Sequence, residues 1–439
     1  MSTISRAVAD RTDVVFSRSM LQRAVLSCAV GQVFEIYDFV IYGFLASTIA
    51  KAFFPAGDPV AALLSTFAAF AVGFCVRPLG AIVIGAYGDR RGRREALVLT
   101  IGVMALATGA IGLIPKYETI GIAAPIILVL CRVLQGFSTG GEWGGAAAML
   151  VEYAPANQRA FLSSFQQAGT ALGLLLATLS VALLTSMFST DAFNSWGWRL
   201  PFLLGFILGP IGYYLRTQIA ETPAFTKTVA EEKLARSPLI ETLSTQKPGL
   251  FVAFGISALP CVIYWVFLVF LPTYAAQHLN ISASATFFST TFSGLLYLVL
   301  SPIMGYLSDR IGRKPLLLTA AVAAIVLAYP LFLLLVSFNS LAGFVLVQAI
   351  ATVILTLTTG VLCAVLSEMF PTRIRYTALS VSYGLAVAIF GGFAPLISTA
   401  LAQMTGDPLA PAYYVVFSGL LTLLGALFVR EGGNKPLME

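Results

Sequence analysis

The chain has 439 residues, of which 58% are hydrophobic and only 10% charged, against about 25% charged in a soluble domain. That composition belongs to an integral membrane protein and excludes a soluble globular domain. The formal net charge of +6 invites a nucleic-acid partner, yet the positions of Lys and Arg give it another cause.

Residues 1–23 are polar and carry Arg6, Arg11, Arg18 and Arg23. The apolar run that follows is too long and too charged for a cleaved leader, so this segment is expected to be retained in the cytoplasm. Apolar runs then recur near 24–49, 61–87, 96–114, 121–150, 160–188 and 198–215, and again near 249–275, 284–307, 315–337, 341–366, 377–403 and 411–429. Each is long enough to cross a bilayer, which takes about 20 residues. The spacing predicts an all-α integral membrane protein of twelve transmembrane helices. Six lie in a bundle over 24–215 and six in a bundle over 249–429, joined by a cytoplasmic loop over 216–248 and followed by a tail over 430–439.

The first run contains Gly31-Gln-Val-Phe-Glu-Ile-Tyr-Asp-Phe-Val-Ile-Tyr-Gly43, which places Glu35 and Asp38 at membrane depth. A charge at the centre of a span costs about 2.5 to 3.5 kcal/mol on insertion scales and is by default functional. Gly31, Glu35, Asp38 and Tyr42 follow i, i+4, i+7 and i+11, one stripe of a helix, with Gly31 allowing a partner helix close. The stripe is expected to face a polar interior. Cys28, Cys75, Cys131, Cys261 and Cys363 all fall in apolar runs, where a thiol behaves as a small hydrophobe. Neither a disulfide framework nor a metal site nor a cofactor is expected.

All but five of the 26 Lys and Arg lie at the two termini or in loops on the same side as the termini. Lys51, Lys116 and Arg199 lie in opposite loops; Arg77 and Arg132 lie within spans. The positive-inside rule therefore puts both termini in the cytoplasm, and the basic charge reflects topology. No nucleic acid is needed as a partner; the lipid bilayer is.

The halves repeat. Gly85-Ala-Tyr-Gly-Asp89-Arg-Arg-Gly-Arg-Arg94 and Gly305-Tyr-Leu-Ser-Asp309-Arg-Ile-Gly-Arg-Lys314 share G-x-x-x-D-R-x-G-R-[RK] at an offset of 220 residues. Glu152-x-x-Pro155-x-x-x-Arg159 and Glu368-x-x-Pro371-x-x-x-Arg375 match at an offset of 216. Each falls on a predicted cytoplasmic loop, after the second and fourth helix of its half. The chain is a duplicated six-helix unit.

These residues resemble the major facilitator superfamily over the whole chain, with its two six-helix bundles and inverted repeats. Within it, Phe34-Glu-Ile-Tyr-Asp-Phe39, Val76-Arg-Pro-Leu-Gly80, Gln135-Gly-Phe-Ser-Thr-Gly-Gly-Glu-Trp-Gly-Gly145 and Trp196-Gly-Trp-Arg-Leu-Pro-Phe202 are similar to the metabolite:proton symporter family. Its members carry citrate, 2-oxoglutarate, shikimate and proline or betaine. Ala388-Ile-Phe-Gly-Gly-Phe-Ala-Pro-Leu-Ile-Ser-Thr399 with Thr405-Gly-Asp407 looks most like the citrate and tricarballylate carriers, while Gly141-Glu-Trp143 is closer to other branches. The resemblance also implies a long C-terminal coiled coil in the osmosensory proline/betaine carriers. Only 430–439 follow the last predicted helix here, which lowers the osmolyte reading. The repeated loop is implied to latch the inner gate through Gly85, Asp89, Arg90 and Arg93, with Asp309, Arg310 and Arg313 in the second half.

Five ionisable residues fall within spans: Glu35, Asp38, Arg77, Arg132 and Glu142, all in the first half. Asp38 and Arg132 each lie about 11 residues, or roughly 16 Å, from the outer ends of their helices, so they can meet. Arg77 and Glu142 lie at matching depths nearer the cytoplasm and can pair too. Glu35 is then left near the midplane without a cation, as expected of a carboxyl that exchanges protons. Asp38 and Arg132 resemble the acid of helix one and the arginine of helix four in proton-coupled sugar carriers and are expected to form a proton-linked switch pair; Glu35 joins them as a second proton carrier or else belongs to the substrate site. With three acids ionised and two arginines positive the interior sums to minus one, which one proton would neutralise.

Arg77 is the candidate for a substrate carboxylate, because its planar fork suits that group, and Pro78 beside it removes one backbone hydrogen bond. The expected substrate site adds Glu142, Tyr42, Gln166, Gln167, Tyr264 and Tyr383. Tyr297 is a further tyrosine at that depth. Gly136, Gly140 and Gly144 read as small-xxx-small helix packing, and no G-x-x-x-x-G-K-[ST] supports ATP use. His278, the only histidine, falls on a predicted outer loop, and Trp196 and Trp198 fit an interfacial belt.

The leading expectation is a proton-coupled symporter of an organic carboxylate, a di- or tricarboxylate such as citrate or 2-oxoglutarate. It would work by alternating access in the bacterial inner membrane, functional as a monomer, with a small organic anion and protons as partners. A zwitterionic osmolyte or shikimate symporter, or an uncoupled facilitator, is the alternative. A sensor would have only the 33-residue central loop to signal with. An enzyme would lack a metal or nucleophile cluster.

Overall fold

The computed structural model describes residues 18–54, 59–272, 275, 281, 283–338, 340–433 and 435–438. Arg6, Arg11 and His278 lie outside them. The first half contributes α1 (Arg18–Phe44), α2 (Pro59–Arg91), α3 (Arg93–Leu113), α4 (Ala123–Tyr153), α5 (Arg159–Met187) and α6 (Leu200–Thr217). Two short helices, Pro223–Ala230 and Pro238–Thr245, fill the central connection. The second half contributes α7 (Lys247–Ile263), α8 (Ala283–Ile311), α9 (Arg313–Phe338), α10 (Leu341–Met369), α11 (Arg375–Ala386) and α12 (Pro411–Phe428). Among the described residues, eleven helices are long and apolar enough to cross a membrane. The remaining member of the predicted twelve, α6, packs along α3 and α1 and carries Arg216 in its last turn.

Two helices loosen where they meet the centre. After Pro260, whose missing N–H breaks the regular ladder, α7 widens into a π-helical stretch over Tyr264–Phe270. Likewise α11 widens over Val387–Gly391, and a further helix, Ala394–Thr405, completes that span. π-bulges of this kind frequently mark functional sites.

Within the first bundle α2 packs on α4, α1 on α5, and α3 on α4 and α6. The second repeats most of the scheme, with α8 on α10 and α9 on α10 and α12, but α7 packs chiefly on α12, whereas α1 packs chiefly on α5. The bundles meet along two matching seams, α2 against α11 and α5 against α8. The glycine stripe of α4 serves both levels of packing. A Cβ at Gly140 would run into the α2 backbone at Arg77, and one at Gly144 would meet Ser380 of α11.

The expectation for the tryptophans holds only in part. Trp196 is half exposed, but Trp198 is fully buried, edge-on to Phe53 and Phe202. Of the cysteines, Cys75 is exposed and the other four are buried, all unpaired.

Candidate functional site

Both loops of the repeated motif are built on the same stereochemistry. Gly92 and Gly312 sit at φ +116° and +100°, a region that strains any residue with a Cβ, and they break α2 from α3 and α8 from α9. Each loop aspartate then reaches across the seam to the start of a helix in the other bundle. Asp89 accepts from the backbone N–H groups of Tyr376 and Thr377 at 3.1 and 2.8 Å. Asp309 accepts from those of Ala160 and Phe161, also at 3.1 and 2.8 Å. A helix N-terminus offers unpaired donors and a positive dipole end, so a carboxylate seats there naturally.

The second repeated motif completes this junction. Arg93 pairs with Asp89 and with Glu152, both at 3.1 Å, and Glu152 takes Arg375 of the opposite bundle at 2.6 Å. In the mirror position Arg313 pairs with Asp309 at 2.8 Å and Glu368 at 3.1 Å, and Glu368 faces Arg159 at 3.6 Å. Gly85 permits the approach, since a Cβ there would lie 2.9 Å from Thr377 Cα. Two expected gate residues stand apart from the network. Arg90 donates to the Arg236 carbonyl at 2.5 Å, and Arg310 lies over the Tyr306 ring at 4.4 Å. The motif fixed the arginines that face inward; these two face outward from the same loops.

At mid-depth the pairings differ from those expected. Asp38 and Arg132 do meet, at 3.3 Å. Asp38 also accepts from Thr108 and Gln135, each at 2.8 Å, and Arg132 donates to Gln135 Oε1 at 2.7 Å. Glu35, however, is not left without a cation: Arg77 Nη2 lies 2.8 Å from it, and Gln32 donates to its other oxygen at 3.4 Å. Glu142 in turn does not meet Arg77. It is clamped by Arg216 and accepts from Thr100 at 2.6 Å. The sequence places Arg216 at the head of the central loop, whereas α6 continues through it and buries it. The interior therefore holds three acids and three arginines, a neutral sum rather than minus one.

A cavity opens between the bundles beside the Glu35–Arg77 pair. Gln32, Phe39, Gln167 and Thr170 line it from the first half together with Trp143, while Tyr264, Trp265, Tyr297, Thr359 and Tyr383 line it from the second. Trp143 and Tyr383 stack with ring centres 3.7 Å apart, and Tyr297 donates to Gln167 Oε1 at 3.0 Å. Of the expected substrate residues, Arg77, Gln167, Tyr264 and Tyr383 line the cavity. Three do not. Glu142 is consumed by Arg216; Tyr42 donates to the Thr66 carbonyl at 3.2 Å and stacks on Phe70; Gln166 donates to Gln32 and to the Trp143 carbonyl, each at 3.2 Å. They share the depth of the cavity but point to neighbouring helices.

Sequence reasoning passed over Trp143, Trp265 and Gln135 as site residues. Gln135 had a signal, since it follows Arg132 by three residues and so lies on the same helix face. Among the described residues no group of three or more His, Cys, Asp and Glu is placed to hold a metal ion.

Two six-helix bundles, joined by matched ion networks at one end and enclosing a polar, aromatic cavity at mid-depth, define a membrane carrier built on a duplicated helical unit. Residues 24–248 match the family model for sugar (and other) transporters and residues 250–436 that of the major facilitator superfamily. The chain belongs to the major facilitator superfamily and is a transporter, not an enzyme.

A glycine betaine/proline/ectoine/pipecolic acid transporter of Dickeya dadantii is 38% identical over 429 residues, covering 95% of this chain and 85% of that protein. A proline/betaine transporter of Escherichia coli K12 is 35% identical, covering 97% of this chain and 87% of its own length. A citrate-proton symporter of Klebsiella pneumoniae is also 35% identical, covering 92% and 91%. Among solved structures, the proton:xylose symporter XylE bound to 6-bromo-6-deoxy-D-glucose superposes with a TM-score of 0.80 at 19% identity, over 96% of this chain and 98% of that one. The inward open form of the Escherichia coli xylose transporter gives 0.60 at 18% identity, over 93% and 95%.

Proposed function

We propose that the protein is a proton-coupled symporter of the bacterial inner membrane whose substrate is a small zwitterion, one carboxylate and one substituted ammonium, of the proline or glycine betaine kind. The observation that carries this reading is the charge of the cavity. Among the described residues it is lined by one arginine, Arg77, already matched by one carboxylate, Glu35, and by aromatic and neutral polar side chains. A neutral site suits a neutral ligand with separated charges, whereas a tricarboxylate calls for an excess of cations. A proton on Glu35 frees Arg77 for the substrate carboxylate, and the faces of Trp143, Trp265, Tyr264 and Tyr383 suit an alkylated ammonium through cation–π attraction. Proton and substrate thereby bind as partners. Asp38, held by Arg132, Thr108 and Gln135, is the second proton-exchanging acid. The relatives named for betaine and proline support this substrate class.

The second reading, an organic carboxylate such as citrate, is favoured by 35% identity to the citrate-proton symporter, the same as to the Escherichia coli proline/betaine transporter, and by the same release of Arg77. Purified protein in liposomes loaded with a pH dye separates the two. On the proposed reading, proline or glycine betaine added outside acidifies the lumen and citrate and 2-oxoglutarate do not. Acidification by the carboxylates alone replaces the zwitterion with them, and uptake without any pH change removes proton coupling.

A further inference from the structure

The two mid-depth ion pairs lie on either side of one residue that neither the charges nor the gate explains. Phe39 follows Asp38 on α1, and the guanidinium carbons of Arg77 and Arg132 each lie over its ring, 4.6 Å from its centre. Arg77 also lies over Phe74 at 5.0 Å, and Arg132 over Tyr42 and Phe70 at 4.5 and 5.3 Å. Only the Phe39 ring serves both cations among these contacts. Arg77 Nε, Arg132 Nε and Arg132 Nη2 are buried and have no hydrogen-bond partner among the described residues. Ordinarily a buried guanidinium N–H without an acceptor is costly. A ring face is the partner that remains for these groups.

We propose that Phe39 is a positioning residue of proton coupling: a shared aromatic platform that holds Arg77 and Arg132 in place while Glu35 or Asp38 carries a proton. The inference rests on the proton-coupled reading of those acids. Each acid, on becoming neutral, strips its arginine of a counter-ion in a buried setting, and removing one partner of a buried pair is strongly unfavourable. A cation–π face offsets that loss most where water is excluded. The other charged or titratable groups set near the two acids are Glu142 and Cys131 from α4, Tyr37 on α1, Tyr264 from α7 and Tyr383 from α11. None of them offers a second face to both arginines. The platform also reaches the second bundle: Phe39 packs edge-on to Phe70 and Phe74, and Phe74 lies edge-on to Trp265 in the π-helical stretch of α7, 5.2 Å between centres.

The test replaces Phe39 in the full-length protein with mono-, di- and trifluorinated phenylalanine, which withdraws charge from the ring while nearly keeping its shape, alongside Phe39→Leu and Phe39→Tyr. Accumulation of the transported solute under an imposed proton gradient should fall stepwise with fluorine number and about tenfold in Phe39→Leu, while Phe39→Tyr retains it. Exchange of labelled for unlabelled solute at equal pH, which needs no net proton movement, reads the effect of the same replacements on solute binding, and the fall in gradient-driven accumulation should exceed it severalfold. Gradient-driven accumulation unaltered across the fluorinated series overturns the platform, as does a loss confined to KM, which would make Phe39 a substrate contact. If the unmodified protein moves solute with no proton flux, it is the proton-coupled reading that fails, and the two failures are told apart by the wild-type trace.

Discussion

The loop end of the molecule and its centre treat the duplication in opposite ways. At the loop end the contacts across the seam come in twins: Asp89 and Asp309 each accept from two successive backbone donors at the same distances, and Glu152 and Glu368 each bridge their own arginine to one across the seam. In the centre the symmetry is gone. The three ion pairs belong to α1, α2, α4 and α6 of the first half, and the second half presents tyrosines, a tryptophan and threonine. A junction that ties the two bundles together is shared equally by both, so a two-fold arrangement suits it. On the proposed reading the centre binds one small molecule and exchanges protons, and such a site has no use for two copies of a buried charge, each costly to hold in the membrane. The second half keeps the shape and gives up the charge.

That contrast can be broken from several directions. The largest effect is expected at the acids: Glu35→Gln with Asp38→Asn should abolish the response of uptake to an imposed proton gradient, a loss of at least about a hundredfold for two proton-exchanging groups. Uptake still driven by the gradient in that double variant would take proton coupling away from the centre. Next comes stability. Glu142→Gln leaves Arg216 buried without its counter-ion and should destabilise the protein by about 3 to 5 kcal/mol, read as a lower melting temperature in detergent. Its KM should stay within about twofold of wild type, because a ground-state contact is needed to change binding; a large KM change would return Glu142 to the substrate site.

Arg77→Gln should raise KM at least about tenfold if the guanidinium meets the substrate carboxylate, the worth of one charged hydrogen bond, and direct binding by calorimetry checks it. The smallest effects sharpen the symmetry of the gate. Asp89→Asn and Asp309→Asn each remove charge from a pair of hydrogen bonds to a helix start and should raise labelling of a thiol placed in the opening junction by similar factors of about three to ten. A ratio of more than tenfold between the two would show that the twin contacts are not twin energies. Arg90→Ala and Arg310→Ala, whose partners are a carbonyl and a ring on the outer face of their loops, should leave the same labelling within about twofold.

Sequence alone settled much of this molecule. Hydropathy set the spans because a bilayer demands a run of fixed length with its backbone satisfied internally. The two repeated motifs showed the duplication and placed the residues that join the bundles at the loop end. The Asp38–Arg132 pair was legible because the two residues stand at equal depth on helices that run in opposite directions. Depth along a helix is what a sequence reports; which neighbour a side chain turns towards is not. Arg77 and Glu142 stand at matching depths and yet take different partners, because α1 brings Glu35 against α2 and α6 brings Arg216 against α4. Tyr42 and Gln166 stand at the right depth for the cavity and turn away from it for the same reason. The tertiary packing alone decided the pairing of the charges and the lining of the cavity, since several helices reach one level of the bundle and only their rotations say which side chains meet.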